Sequence, residues 1–246
     1  MTIFFKQTAA HGYFIITGIW FWTRWQIGIL LGFKQNSLQE RFQLARRSRA
    51  YLSLLQRLGI LRLEFVGFED ASQWSGCILS PNHPSIIDAV LIMSQVPDVV
   101  CVINSKLLAN PLTSGVSNLC NFVRNDAPIQ MMKECQQRLS DGSNILFFPE
   151  GTRTTTHPIG LFHHTYALAA KRAGVPIRTI VIECDSSYFG ADFSLLRPSP
   201  CPMPISYRVS VGRIYYPTAE TNSRALSAEI EEYFRETLST SKKNNY

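Results

Sequence analysis

Charge is scarce in this chain. Only 17% of its 246 residues are Asp, Glu, Lys or Arg, against about a quarter in ordinary soluble domains. So low a share leaves two arrangements, a large apolar core or a surface that faces lipid. Other absences narrow the chemistry. No G-x-S-x-G occurs, which removes the nucleophile elbow of serine hydrolases. No H-E-x-x-H or other compact ligand spacing occurs, so no metal is expected, and His157, His163 and His164 read as surface or cleft residues. No C-x-x-C pair is present. The six cysteines (Cys77, Cys101, Cys120, Cys135, Cys184 and Cys201) lie mostly in apolar runs and read as small hydrophobes in a reducing compartment. Neither an internal repeat nor a low-complexity linker appears, and the length suits one domain with an appendage. Bases outnumber acids, giving a net charge of +6. That balance favours an anionic partner, a lipid headgroup or a phosphorylated substrate, and no nucleic-acid-binding motif accompanies it.

The longest apolar run is YFIITGIWFWTRWQIGILLGF, residues 13 to 33. Its length nearly spans a bilayer. Arg24 and Gln26 interrupt it, and Trp20, Trp22 and Trp25 surround that Arg as rings do at a lipid interface. The run is expected to cross a membrane or to lie half inserted in one. Lys6 is followed by no A-x-A site, so a cleaved signal is not expected. Lys34, Arg41, Arg46, Arg47, Arg49, Arg57 and Arg62 follow, with Glu40 the one acid among them. Basic residues beside a membrane segment stay on the cytoplasmic side, which points to the cytoplasmic face of the membrane. Ser37 and Glu40 have capping-box spacing and Gly59 is placed to end a helix, so residues 38–58 read as a basic amphipathic helix. The division expected is a hydrophobic membrane anchor over 1–35, this helix within 36–60, and the catalytic domain over 61–240.

From residue 61 the pattern alternates. LRLEFVG (61–67), CILS (77–80), VVCVI (99–103), NILFFP (144–149), VPIRTIVIE (175–183) and ISYRVSVGRIYY (205–216) read as strands. Residues 84–95, 127–140, 163–173 and about 223–239 read as helices, the second capped by Asp126, the third closed by Gly174, the last followed by a frayed SKKNNY tail. The fold class is therefore α/β, with a mostly parallel central sheet flanked by helices.

Two stretches carry chemistry. SPNHPSIIDAV (80–90) puts His83 at the carboxyl end of a strand, where open α/β sheets bind ligands, and Pro84 at a first helical position. Asp88 then lies just over a turn into the helix and reaches back toward the imidazole. A carboxylate on one ring nitrogen leaves the other to take a proton, and Ser85 carries no elbow signal. The base must serve a hydroxyl of the substrate. FFPEGTRT (147–154) follows another strand. Pro149 and Gly151 shape a tight turn, and Arg153 suits a phosphate.

Asn82, His83 and Asp88 with Phe148 to Arg153, some sixty residues apart, resemble the first and third motifs of the glycerolipid acyltransferases, which include the bacterial 1-acylglycerol-3-phosphate acyltransferases. The resemblance covers roughly residues 60 to 185. It implies acyl transfer from acyl-CoA or an acyl carrier protein to a hydroxyl of a lipid acceptor at a membrane, without a cofactor. It makes His83 the base and Asp88 its orienter. Glu150, Gly151, Thr152 and Arg153, with Arg124 and Lys106, would bind the acceptor. Asn82, Pro149, Val175 and Pro176 would line the acyl pocket or serve the fold. Two motifs depart from the pattern. Arg124 in NFVRND is out of register by about one place, and Thr179 stands where a second Pro is expected in VPIRTI. The NHPS opening and the NPLTSG region look closer to acyltransferases of aryl polyene and similar pathways, where the acceptor differs. Two readings of other classes stay open: a metal-dependent lipid hydrolase liganded by His83, Asp88 and Glu150, and a membrane scaffold without catalysis.

Overall fold

The computed structural model describes residues 3–33, 35–191 and 202–243, with side chains from residue 12 to residue 240 apart from residue 14. Lys34, Cys201 and the end of the SKKNNY tail lie outside the described residues.

Seven described strands form one sheet: β1 (Leu61–Val66), β2 (Ile78–Pro81), β3 (Val99–Ile103), β4 (Val123–Arg124), β5 (Asn144–Leu146), β6 (Ile177–Cys184) and β7 (Ile205–Tyr215). Their order is β1-β7-β6-β2-β5-β3-β4. Every neighbouring pair is parallel except β6 with β7. The chain is thus an α/β protein with a mostly parallel sheet. The central strands are apolar without alternation because both sheet faces are covered. On β2, Leu79 joins the cluster under one helical layer and Ile78 the cluster under the other. The first layer contains α2 (Ser37–Arg57) and α3 (Asp88–Gln95), with α1 (Ile3–Leu30), α4 (Lys106–Ala109) and α5 (Pro111–Leu119) outside or beside them. The second is α6 (Pro128–Ser140), α7 (Thr165–Ala173) and α8 (Ser223–Lys243).

Three helix starts differ from expectation, each because a side chain found a better partner. Ser37 and Glu40 form no capping box. Asn36 caps α2 by accepting from Gln39 N, and Glu40 pairs with Arg24 at 2.5 Å. Asp126 does not cap α6, because it pairs with Arg124 at 2.5 Å. The helix expected from residue 84 begins only at Asp88, after a turn over Ser85 to Ile87. The pair α4–α5 was not anticipated, although Asn110 caps α5 and Pro111 opens it.

The N-terminal run departs most. It is helical, but among the described residues no helix is long and apolar enough to cross a membrane. Its polar residues pair within the protein. Tyr13 stacks on Tyr51, the Arg47 guanidinium lies 3.5 Å from the centre of the Trp20 ring, and Arg24 bonds Glu40. Numbers rise along α1 as they fall along α2, so the two helices form an antiparallel hairpin. Trp20, half-buried, thereby sits between Arg24 and Arg47. Arg41, buried on α2, clamps the hairpin to the sheet: it bonds Asp98 at 2.5 Å, the Cys120 carbonyl at 3.1 Å and Ser143 Oγ at 3.1 Å. The five described cysteines are free. Burial pushes their thiols up, Cys101 and Cys135 to about 12, which suits small core hydrophobes.

α1 lies against α5 at two glycines. A Cβ on Gly18 would stand 2.7 Å from the Leu112 carbonyl oxygen, and one on Gly115 would stand 2.3 Å from Trp22 N. Both clashes are with backbone, so a helix must move. Gly115→Ala is expected to cost about 1–3 kcal/mol, as overpacking does. It should lower the melting temperature and make the α1–α2 junction more sensitive to protease, measured by thermal unfolding and limited proteolysis.

Candidate active site

All the parallel strands from β6 to β4 end on one edge of the sheet, and the turns after β2, β5 and β6 meet there. β2 runs on into Asn82, whose side chain donates to the Ile182 carbonyl at 2.9 Å and accepts from Ile182 N at 2.8 Å. A side-chain amide thus continues the ladder with β6 by one position and fixes where His83 emerges. Asn82 is buried and serves the fold.

His83 is then held from every side. Its backbone N–H donates to Glu150 Oε1 at 2.9 Å, and its carbonyl accepts from Thr154 N at 2.7 Å. Its ring stacks on Phe148, centroids 3.8 Å apart and planes 22° apart. Nδ1 lies 2.7 Å from Asp88 Oδ2. An ionised carboxylate only accepts, so beside one Nδ1 carries the proton and Nε2 keeps a free lone pair. Nε2 has no hydrogen-bond partner among the described residues, and the side chain is 19% exposed. Asp88 is wholly buried at the first position of α3. Burial pushes its carboxyl above the ordinary value, and bonds from His83 and Ser85 oppose that rise.

The turn after β5 faces this pair. Gly151 adopts φ +69° and is exposed, with the His163 ring 3.4 Å from where a Cβ would stand. Pro149 is buried and its carbonyl accepts from His163 N at 2.8 Å. Thr152 is exposed. Arg153 reaches across to the loop after β6, where its Nη1 donates to the Gly190 carbonyl.

Glu150 requires a correction. It was expected to hold the acceptor, but it is 7% exposed and both its oxygens are occupied from within. Oε1 accepts from His83 N and Thr154 Oγ1, and Oε2 accepts from Gly160 N at 2.8 Å. It braces the site instead of binding in it. Arg124 is not brought to His83 either. It ends β4, three strands from β2 or about 14 Å across the sheet, and its guanidinium lies on Asp126. Val175 and Pro176 stand at the start of β6, on the opposite sheet edge, where the Pro176 carbonyl accepts from Ile78 N at 3.0 Å. Lys106 opens α4 after β3, exposed, on the same edge as the site. Sequence reasoning missed Thr154, Ser85, Phe148 as a stacking partner and the loop at Gly190. Thr154, four residues after Glu150, and Ser85, inside NHPSIID, were within reach of an accounting of partners for the two buried carboxylates.

Glu150→Gln tests the brace. The amide would turn a donor toward N–H groups, leaving a buried donor unsatisfied at about 1–3 kcal/mol. The variant should melt several degrees lower and lose activity through kcat, measured by thermal unfolding and steady-state assay.

Comparison with known proteins agrees with this geometry. Residues 62–183 match the acyltransferase family. Curated relatives include the chloroplastic 1-acyl-sn-glycerol-3-phosphate acyltransferase of Brassica napus, 24% identical over 43% of this chain and 32% of its own length. The 1-acyl-sn-glycerol-3-phosphate acyltransferase of Cocos nucifera is 27% identical over 51% of this chain and 42% of its own. The matched region thus spans less than half the length of these relatives. Among solved structures, the 1-acyl-sn-glycerophosphate acyltransferase PlsC of Thermotoga maritima superposes with a TM-score of 0.68 at 17% identity, covering 97% of each chain, which shows a shared fold. The chain carries an acyltransferase family domain, built from residues 62–183 and holding both the His83–Asp88 pair and the turn at Phe148–Arg153.

Proposed function

We propose that the protein is an O-acyltransferase that moves a fatty acyl group from a thioester, acyl-CoA or an acyl carrier protein, to a hydroxyl of a lysophospholipid such as 1-acylglycerol-3-phosphate. The observation that carries the reading is the buried Asp88 on His83 Nδ1, with Nε2 unpartnered beside a turn bearing Arg153. His83 Nε2 takes the proton of the acceptor hydroxyl as that oxygen attacks the thioester carbonyl. The C–O bond forms, the C–S bond breaks, and the imidazolium returns its proton to the leaving thiolate. General base catalysis of this kind contributes on the order of 10²–10⁴ in rate. The relatives named above are described as acylating the same acceptor class. The hydrolase reading loses support, because Asp88 and Glu150 direct their oxygens at Ser85, His83, Thr154 and Gly160.

The same reading assigns the acyl chain to an apolar cavity of about 160 Å³, which lies between α1, α2, α3 and α5, with Gly18, Phe21, Leu44, Val90, Met93 and Val116 in its walls. Val90 is two residues from Asp88 on α3. Membrane association belongs to the same reading. The hairpin exposes Ile27, Leu30, Phe33 and Phe42 near the exposed Arg46 and Arg49 of α2, a face suited to lie in an anionic lipid interface. The cytoplasmic side follows from that basic flank. The first 35 residues then act as an interfacial anchor, α2 as the basic helix beside it, and residues 61–240 as the catalytic unit.

Thiol release from acyl-CoA or acyl carrier protein tests the function. Release that needs lysophosphatidate is expected in the wild type and lost in His83→Ala with folding retained. Release served equally by an unphosphorylated alcohol would move the acceptor to a specialised lipid. Arg153→Ala should raise the acceptor KM about tenfold or more through loss of a charge-assisted contact. Val90→Trp, which fills the cavity, should shift donor preference to shorter chains, read from kcat/KM across an acyl-CoA series.

A further inference from the structure

Ser85 is a residue the mechanism has not used. It is 1% exposed, in the turn between His83 and α3. Its backbone N–H donates to Asp88 Oδ2 at 2.7 Å, and its hydroxyl donates to Asp88 Oδ1. The oxygen that receives the Ser85 N–H also receives His83 Nδ1. One residue thus grips both carboxylate oxygens and fixes the plane in which His83 is met. The turn exists for this contact: it delays the helix to Asp88, so that Ser85 can fold back on the carboxylate three residues ahead.

We propose that Ser85 is a positioning residue, whose N–H and hydroxyl hold the buried Asp88 carboxylate ionised and aimed at His83 Nδ1. This rests on the reading of His83 as the base. The groups that face Asp88 are His83, Tyr207 from β7 and Cys184 from β6. The Cys184 thiol is pushed up to about 11 by burial, and the Tyr207 phenol well above its usual value, so both are neutral near pH 7. Neither supplies a positive charge. The Tyr207 hydroxyl faces the Ser85 hydroxyl and the Cys184 thiol without a hydrogen bond of ordinary geometry among the described residues, and it makes no bond to Asp88. With His83 neutral, as a base must be, the carboxylate keeps its charge through Ser85 and the Nδ1–H alone.

The sign of the effect follows. The active form of the pair has lost its last proton and leaves Asp88 ionised beside a neutral ring. Removing the Ser85 hydroxyl destabilises that form most, so the pair releases its last proton at higher pH. The ionised carboxylate accepts the bond in both forms, so only the bond's extra strength beside the neutral ring counts, about half a pH unit.

The test is titration of the His83 ring by NMR in the wild type, Ser85→Ala and Ser85→Thr, alongside thiol release across pH, with His83→Ala to assign the resonance. In Ser85→Ala the midpoint is expected to rise by about half a pH unit, and kcat below it to fall about threefold with the acceptor KM unchanged. Ser85→Thr, which keeps the hydroxyl, should restore both. An unmoved midpoint in folded Ser85→Ala, or a threonine variant as displaced as alanine, overturns the proposal. If the alanine variant does not fold, the near-isosteric Ser85→Cys, a weaker donor, is expected to show the same upward displacement, and a wild-type midpoint there overturns it equally. The titration needs no substrate. A wild type that releases no thiol sinks the acyl-transfer reading while the midpoint still decides the role of Ser85.

Discussion

Glu150 is the contact on which the site depends. Its carboxylate bonds the backbone of His83, the hydroxyl of Thr154 and the N–H of Gly160, and so ties together segments from two strands and a loop. Each bond satisfies a donor that the site would otherwise bury alone. Hydrogen bonds to a charged acceptor are among the stronger ones, and three on one group make a rigid joint. The Thr154 N–H closes the same ring from the other side by bonding the His83 carbonyl. His83 can therefore present its ring with little freedom to turn, stacked on Phe148, without help from substrate.

A division follows between groups that hold and groups that react. Asn82, Ser85, Asp88, Glu150 and Thr154 are all buried. His83 reaches partly into solvent, and Gly151, Thr152 and Arg153 form the rim. Preorganisation of this kind places the cost of ordering the site in folding, so that little remains at the moment of reaction.

The layered fold was legible because its central strands are short apolar runs bounded by Gly, Pro and polar turns, a pattern that buried parallel strands impose. The contact of His83 with Asp88 was legible because side chains five residues apart across a turn into a helix can meet. The failures came where one side chain had two uses. Glu40 could cap a helix or meet Arg24, and Asp126 could cap a helix or meet Arg124; the ion pair won each time. Pro84 suits a first helical position, but Ser85 folding back on Asp88 delays the helix by a turn. The apolar run of α1 reads as able to span a membrane because sequence does not reveal that Gly18 and Gly115 let α5 approach it. Glu150 read as a ligand for substrate because a motif gives residue types without saying which way they point.

The apolar cavity draws its wall from α1 and α2 on one side and from α3 and α5 on the other, while His83 and Asp88 stand where β2 leads into α3. Phe21 and Leu44 bear on the shape of the cavity without a bond to His83 or Asp88, whereas Gly18 is held by its contact with the Leu112 backbone. The cavity and the pair share α3, so a change of shape at Val90 or Met93 is carried by the same helix that holds Asp88.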